Sequence, residues 1–256
     1  MEIIKHYIIS TIIYLKNYFS TIVEIDTYSI PIIINNFNKL DSLKKLLHGL
    51  QSRGYYNIIV LDNKSTFPPL LDFYSKSDIE VIFLNENYGF RALWQSGIYE
   101  RFKKNYFVYT DPDLEIINEC PKNFLSHFKT QLTKNKLCSK VGFSLKIDDL
   151  PDASPFKEEV LIWETKYYSK PTVDKLFFRA PIDTTFALYK PYSFKHIRSP
   201  HAKIFRSAFP YQIRHLPWYI TKDNITEEDL YYLKTTNSNS TWYSQLEIDE
   251  KENQYF

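Results

Sequence analysis

The chain has 256 residues, 44% hydrophobic and 17% aromatic, enough apolar material for a substantial core and inconsistent with intrinsic disorder. Basic residues number 32 and acidic residues 30, so the formal charge of +2 makes no case for a nucleic-acid partner, and any anion site must be local. Cys120 and Cys138 are too few for a disulfide framework and fit no zinc-site spacing, which points to a reducing cytoplasm.

Residues 1–28 are expected to form a helical segment of their own. Ile4, Ile8, Ile12, Leu15, Phe19 and Ile22 fall at helical spacing, while Lys5, Lys16 and Glu24 interrupt any long apolar run. A bilayer span needs about 20 mostly apolar residues. No small-residue cleavage site follows, so neither a span nor a signal peptide is expected. The segment reads as an amphipathic helix packed on the domain or on a second copy, or else lying peripherally on a membrane surface.

From Ile30 the pattern becomes short apolar strands alternating with amphipathic helices, the mark of a mostly parallel sheet covered by helices. Ile30 to Ile34 reads as a strand running into the polar turn Asn35 to Asn38. Asp41 is placed to cap a helix with Leu43, Leu46, Leu47 and Leu50 on one face, ended by Gly54. Asn57 to Leu61 is a second strand, closing on Asp62-Asn63-Lys64-Ser65, and Pro68-Pro69 opens a short helix. Ile79 to Leu84 is a third strand. Gly89 then leads into a helix carrying Leu93, Ile98 and Phe102, with Trp94 in the core.

A fourth strand through Tyr106 to Thr110 stops at Asp111-Pro112-Asp113, where proline removes a backbone donor. Parallel strands point one way, so all these turns meet at one sheet edge, the edge where open α/β sheets bind ligands. Two carboxylates one residue apart at that edge suit a divalent cation, Mn²⁺ or Mg²⁺, also held by phosphate. Taken alone, an Asp-x-Asp triplet is more often a plain turn.

Pro121 is expected to start a helix with Phe124, Phe128 and Leu132, and Val141 to Leu145 a further strand; Asp148 to Glu159 reads as a loop. Leu176 to Phe178 and Phe186 to Tyr189 are strand-like, around the charged turn Arg179 to Thr185. No Gly/Ser linker appears, so residues 29–256 are expected to form one domain, with halves at 29–118 and 119–256.

With four turns in order, the chain resembles the GT-A class of nucleotide-sugar glycosyltransferases, and within it family 2. The resemblance runs from about Ile30 to Glu115, on Asn36-Phe37, Asp62-Asn63-Lys64-Ser65, Asn85-Glu86-Asn87-Tyr88-Gly89 and the Asp111-Pro112-Asp113 (DXD) motif. It implies a Rossmann-like GT-A fold and transfer of a sugar from a nucleoside diphosphate donor to a saccharide or lipid-linked acceptor, as in polysaccharide biosynthesis, in the cytoplasm or at the inner face of the membrane. Asn36 and Phe37 would border the nucleotide, Asp62 with Asn63 the base, and Asn87 and Gly89 the ribose and diphosphate. Arg91 would fork onto a phosphate, and Asp111 would serve both donor and cation.

The segment Arg179 to Tyr189 resembles the one beside the donor sugar in such enzymes, making Asp183 the expected general base of an inverting transfer. Many family members carry a Glu-Asp pair after this segment; none occurs between Tyr189 and Tyr219, so base and stereochemistry stay open. His215, in Arg214-His215-Leu216-Pro217-Trp218-Tyr219, resembles a late histidine that completes the metal or diphosphate site in several GT-A families, as a neutral imidazole donor. Trp163, Trp218 and Trp242 offer sugar-stacking faces, though core packing is the more frequent use. Competing classes are a sugar nucleotidyltransferase, for which Asn35 to Lys39 lacks the Gly-rich phosphate loop, and a non-catalytic sugar-binding protein on the same fold.

Overall fold

The computed structural model describes residues 11–12, 15, 25–135, 138–193 and 203–236. The expected N-terminal helix therefore lies outside the described residues except at Thr11, Ile12 and Leu15, which are helical, and Trp242 lies outside them altogether. Among the described residues no helix is long and apolar enough to cross a membrane.

Eight strands form the main sheet in the order β3-β2-β1-β4-β9-β6-β10-β8. They are β1 (Ile32–Asn36), β2 (Ile58–Asp62), β3 (Glu80–Phe83), β4 (Phe107–Thr110), β6 (Cys138–Gly142), β8 (Phe177–Arg179), β9 (Ala187–Tyr189) and β10 (Lys203–Ser207). The first four run parallel; β9 is antiparallel to both neighbours, β4 and β6, and β8 is antiparallel to β10. The expected mostly parallel sheet is present.

Both faces of that sheet are covered, so β1, β2 and β4 read as continuous apolar runs with every residue buried. Alternate side chains serve alternate faces. Ile32, Ile34, Val60 and Val108 pack with the leucines of α1 (Asp41–Gln51) and with Phe124 and Phe128 of α5 (Phe124–Lys134). Ile33, Ile59, Leu61, Phe107 and Tyr109 pack with Leu93 of α3 (Ala92–Gln95) and with Tyr99 and Phe102 of α4 (Tyr99–Phe102). The helix opened by Pro68 is α2 (Pro68–Lys76). Trp94 lies edge-on to Tyr109, centroids 4.9 Å apart.

Four local expectations are corrected. The single helix after Gly89 is a 3-10 turn, Gly89–Arg91, followed by α3 and α4, because Gly97 at φ +80° takes the left-handed conformation that ends a helix. Asp41 does not cap α1: it is the first helical residue, and its backbone N–H is taken from far along the chain by Glu228. The expected strand Val141 to Leu145 splits at Phe143, where the chain leaves the main sheet for a second one. The expected loop Asp148 to Glu159 yields at Lys157 to α6 (Lys157–Glu164).

The second sheet has the order β5-β11-β7, from β5 (Leu114–Ile116), β7 (Ser144–Leu145) and β11 (Gln212–His215). It places two distant segments beside the end of β4. Gly142 sits where the sheets diverge: a Cβ there would lie 2.2 Å from the Phe186 carbonyl, so only glycine lets β9 approach β6 this closely.

Candidate functional site

The ends of β1, β2 and β4 and the turns beyond them form one wall of a cleft of about 900 Å³. Asn63 organises its floor. Its Nδ2 donates to the Gly89 carbonyl (2.9 Å), its Oδ1 accepts from Tyr88 N–H (2.8 Å), and Asn35 Nδ2 donates to the same Gly89 oxygen (3.2 Å). Asn87 Oδ1 in turn accepts from Gly89 N–H at 2.8 Å, and Gly89 holds φ +57°. One buried amide thus fastens the third turn to the first two. Phe37, Asn87, Gly89 and the exposed Arg91 line the cleft around it.

Asn36 and Asp62 do not line the cleft; they lie beneath it. Asn36, fully buried, donates to the Lys39 carbonyl (2.9 Å) and to Tyr74 Oη (2.7 Å). Asp62 accepts from Ser65 N–H (2.8 Å) and Tyr74 O–H (3.1 Å). Burial, with the Asp62 carboxylate beside it, pushes the Tyr74 phenol far up and keeps it a donor. These two residues shape the turns that carry Phe37 and Asn63.

At the end of β4, Asp111 and Asp113 face the cleft on either side of buried Pro112. Antiparallel pairing of β11 with β5 sets His215 opposite Leu114, and Leu216 N–H donates to the Asp113 carbonyl (2.9 Å). His215 Nε2 then stands 3.8 Å from Asp113 Oδ1. β11 is held in this register by Arg214, whose Nε and Nη2 donate to Asp149 (2.9 and 2.7 Å), and by Glu115 at 3.3 Å from its Nη1.

Asp113 Oδ1 is buried with no hydrogen-bond partner among the described residues, and the histidine nitrogen that faces it is Nε2 of His215. A buried carboxylate oxygen is rarely left unpaired in native proteins, so Asp113 beside His215 Nε2 fits a group from outside the chain. Burial pushes the His215 imidazole below its ordinary value, though Asp113 pulls the other way, and a neutral imidazole has the lone pair a cation needs. Among the described residues no group of three His, Cys, Asp or Glu side chains is gathered to hold a metal ion. The chain provides part of a coordination sphere, which suits an ion completed by phosphate oxygens.

Across the cleft, Asp183 is exposed on a turn fixed from both sides. Thr184 O accepts from Asp111 N–H (3.2 Å), and the buried Lys140 donates through Nζ to the carbonyls of Ile182 (2.6 Å) and Asp183 (3.2 Å). Beyond it, Arg206 donates to Pro181 O (2.7 Å) and to Glu164 (2.5 Å), and its guanidinium lies 4.5 Å from the Tyr167 ring centre. Trp163 and Tyr167 complete this aromatic wall, with Lys166 Nζ 3.5 Å from the Trp163 ring centre. Trp218 is buried, edge-on to His215, and so packs the site from within.

Lys140, Glu164 and Arg206 were not singled out from the sequence. Their signal was a charged residue within an apolar segment, which usually marks a solvated edge. The helix α7 (Glu227–Thr235) was also missed, although Thr226 and Asp229 form a capping box readable as Thr-x-x-Asp. Its Tyr232 lines the cleft beside Phe37.

A family model described as Glycosyl transferase family 2 matches residues 32–198. No curated protein matches the chain. Among solved structures, glucosyl-3-phosphoglycerate synthase from Mycobacterium tuberculosis with phosphoglyceric acid is similar at 15% identity over 67% of this chain and 61% of that one, TM-score 0.41. The same synthase with Mn²⁺, uridine-diphosphate-glucose and phosphoglyceric acid is similar at 13% identity over 63% and 56%, TM-score 0.38. GalNAc-T7 with UDP, GalNAc and Mn²⁺ is similar at 13% identity over 72% and 43%, TM-score 0.44. The chain therefore spans about three fifths or less of these proteins.

Proposed function

The chain belongs to glycosyltransferase family 2, and from that premise we propose that it transfers a sugar from a nucleoside diphosphate sugar to a saccharide or lipid-linked acceptor. The observation that carries this reading is Asp113 Oδ1, buried without a hydrogen-bond partner and 3.8 Å from His215 Nε2, at the end of β4 in the same cleft as the Asn87–Gly89 turn and Asp183. Asp113 and His215, with Asp111 on the same cleft wall, would hold a divalent cation, Mn²⁺ or Mg²⁺, only once phosphate oxygens complete its sphere, and the ion when bound offsets the charge on the departing diphosphate.

The chain's own residues do the rest. Phe37, Asn63, Asn87 and Gly89 seat the nucleotide at the strand ends, and Arg91 meets a phosphate from the open side. Asn36 and Asp62 support that seat through the turns above them. Asp183 takes the proton of the acceptor hydroxyl as its oxygen attacks the anomeric carbon and the diphosphate leaves, which inverts the configuration. Lys140 and the Asp111–Thr184 hydrogen bond keep that carboxylate in place.

Residues 29–118 supply the donor side, and residues 119–256 chiefly the acceptor side, of one catalytic domain. Trp163 and Tyr167 on the acceptor wall support a saccharide acceptor. Two buried, unbridged cysteines support a cytoplasmic setting, where a lipid-linked acceptor would be met at the membrane face.

The test is incubation of the purified chain with Mn²⁺ and a panel of nucleotide sugars, measuring nucleoside diphosphate release. One donor should be slowly hydrolysed, and Asp113→Ala should abolish the release. No hydrolysis or binding of any donor, with Asp113→Ala indistinguishable from wild type, would sink the reading.

A further inference from the structure

α7 belongs by position to the acceptor half, yet it packs against the donor side. Glu228 accepts from the backbone N–H groups of Leu40 and Asp41 (both 2.5 Å) and from Ser42 Oγ (2.7 Å), placing a carboxylate on the N-terminus of α1. Asp229 pairs with Lys39 Nζ at 3.1 Å. Asn38 Nδ2 donates to Thr235 Oγ1 (2.9 Å), and Tyr231 O–H donates to Thr66 O (3.0 Å).

Lys39, Glu228 and Asp229 are all buried. Buried charges of this kind are poor sources of net stability, so what they supply here is position. The position they fix is that of Tyr232. Its half-buried ring enters the cleft edge-on to Phe37, centroids 6.1 Å apart at 67°, with Lys39 Nζ 4.5 Å from its centre. Phe37 and Tyr232 form an aromatic corner at the donor end, on the side of β1 away from Asp183. A planar heteroaromatic ring is the ligand group such a corner fits, because any base offers a π-face to stack on.

We propose that Tyr232 contacts the donor's nucleobase, making α7 part of the nucleotide site. The proposal rests on the transferase reading and adds to it a base-contacting residue from the far end of the described chain. Loss of one aromatic stacking partner corresponds to roughly a 5- to 100-fold loss of affinity.

The experiment is titration calorimetry of the full chain in Mn²⁺ with UDP, GDP, ADP, CDP, dTDP and inorganic pyrophosphate. Tyr232→Ala and Tyr232→Leu should each raise the Kd of the preferred nucleoside diphosphate about 10-fold while leaving pyrophosphate unchanged, and Tyr232→Phe should match wild type. Leucine keeps apolar bulk without a π-face, so it decides the matter even if the alanine variant does not fold. Wild-type affinity in Tyr232→Leu, or equal weakening of pyrophosphate and nucleotide, would overturn the proposal. A wild-type chain that binds none of UDP, GDP, ADP, CDP and dTDP in Mn²⁺ would overturn the transferase reading itself, before any variant is compared.

Discussion

At the scale of single residues, several charged side chains around the cleft are buried with specific partners. Arg206 and Glu164 are an example: both are buried, they bond at 2.5 Å, and burial pushes the Glu164 carboxyl up despite the guanidinium beside it. Arg206→Met leaves that carboxylate buried without its cation and should destabilise the protein by about 3–5 kcal/mol. The double variant Arg206→Met, Glu164→Leu should recover most of that loss in urea unfolding, while transfer to acceptor stays impaired because the Pro181–Asp183 turn has lost its anchor. Lys140→Met strips two carbonyls of their donor, for about 2 kcal/mol of stability. Because it acts through the Asp183 turn, it should lower kcat for transfer and leave the donor Kd unchanged. His215→Ala should weaken donor binding in Mn²⁺ by at least about 10-fold, since even outer-shell partners of a metal are worth roughly 10- to 100-fold.

At the scale of elements, the interest lies in how far-apart segments are locked together. β9 fits between β4 and β6 only because Gly142 has no side chain, so Gly142→Ala should cost about 3 kcal/mol, seen as a lower urea midpoint with an unchanged slope. The docking of α7 carries a pH signature. Burial alone would raise the Asp229 carboxyl, but Lys39 and the Thr226 hydrogen bonds outweigh it and hold the group below its ordinary value. A depressed folded pKa means the contribution is present above the unfolded value of about 4 and is lost as pH falls through the folded value. Unfolding measured from pH 6 down to pH 3 should therefore lose stability more steeply in the wild type than in Asp229→Asn.

At the scale of the whole molecule, the two halves were unequally legible in the sequence. Residues 29–118 are a series of strand, turn, helix and next strand, in which each unit is local and periodicity marks it. Asn63, Asn87, Gly89, Asp111 and Asp113 come to one cleft because parallel strands must bring their turns to one edge. Even there local pattern had limits: Asp62 and Asn36 looked like cleft residues at strand ends, yet Tyr74 draws both beneath the surface. The described residues from 119 onward are held by long-range pairing. His215 reaches Asp113 through β11 and β5, Arg206 reaches Glu164 from another sheet position, and Glu228 caps a helix that begins at Asp41. None of these contacts leaves a short-range pattern: His215 is reached from the sequence only through the family resemblance, and Arg206, Glu164 and Glu228 read as ordinary surface charges.

The central claim is that Asp111, Asp113 and His215 form a cation-assisted seat for a nucleoside diphosphate sugar. Its most direct test is titration calorimetry of the hydrolysed donor, made with Mn²⁺ and again with a chelator, on wild type and on Asp113→Ala. Saturable binding in Mn²⁺ that disappears with the chelator and with the substitution is the predicted result. Equal affinity in all four titrations would contradict it.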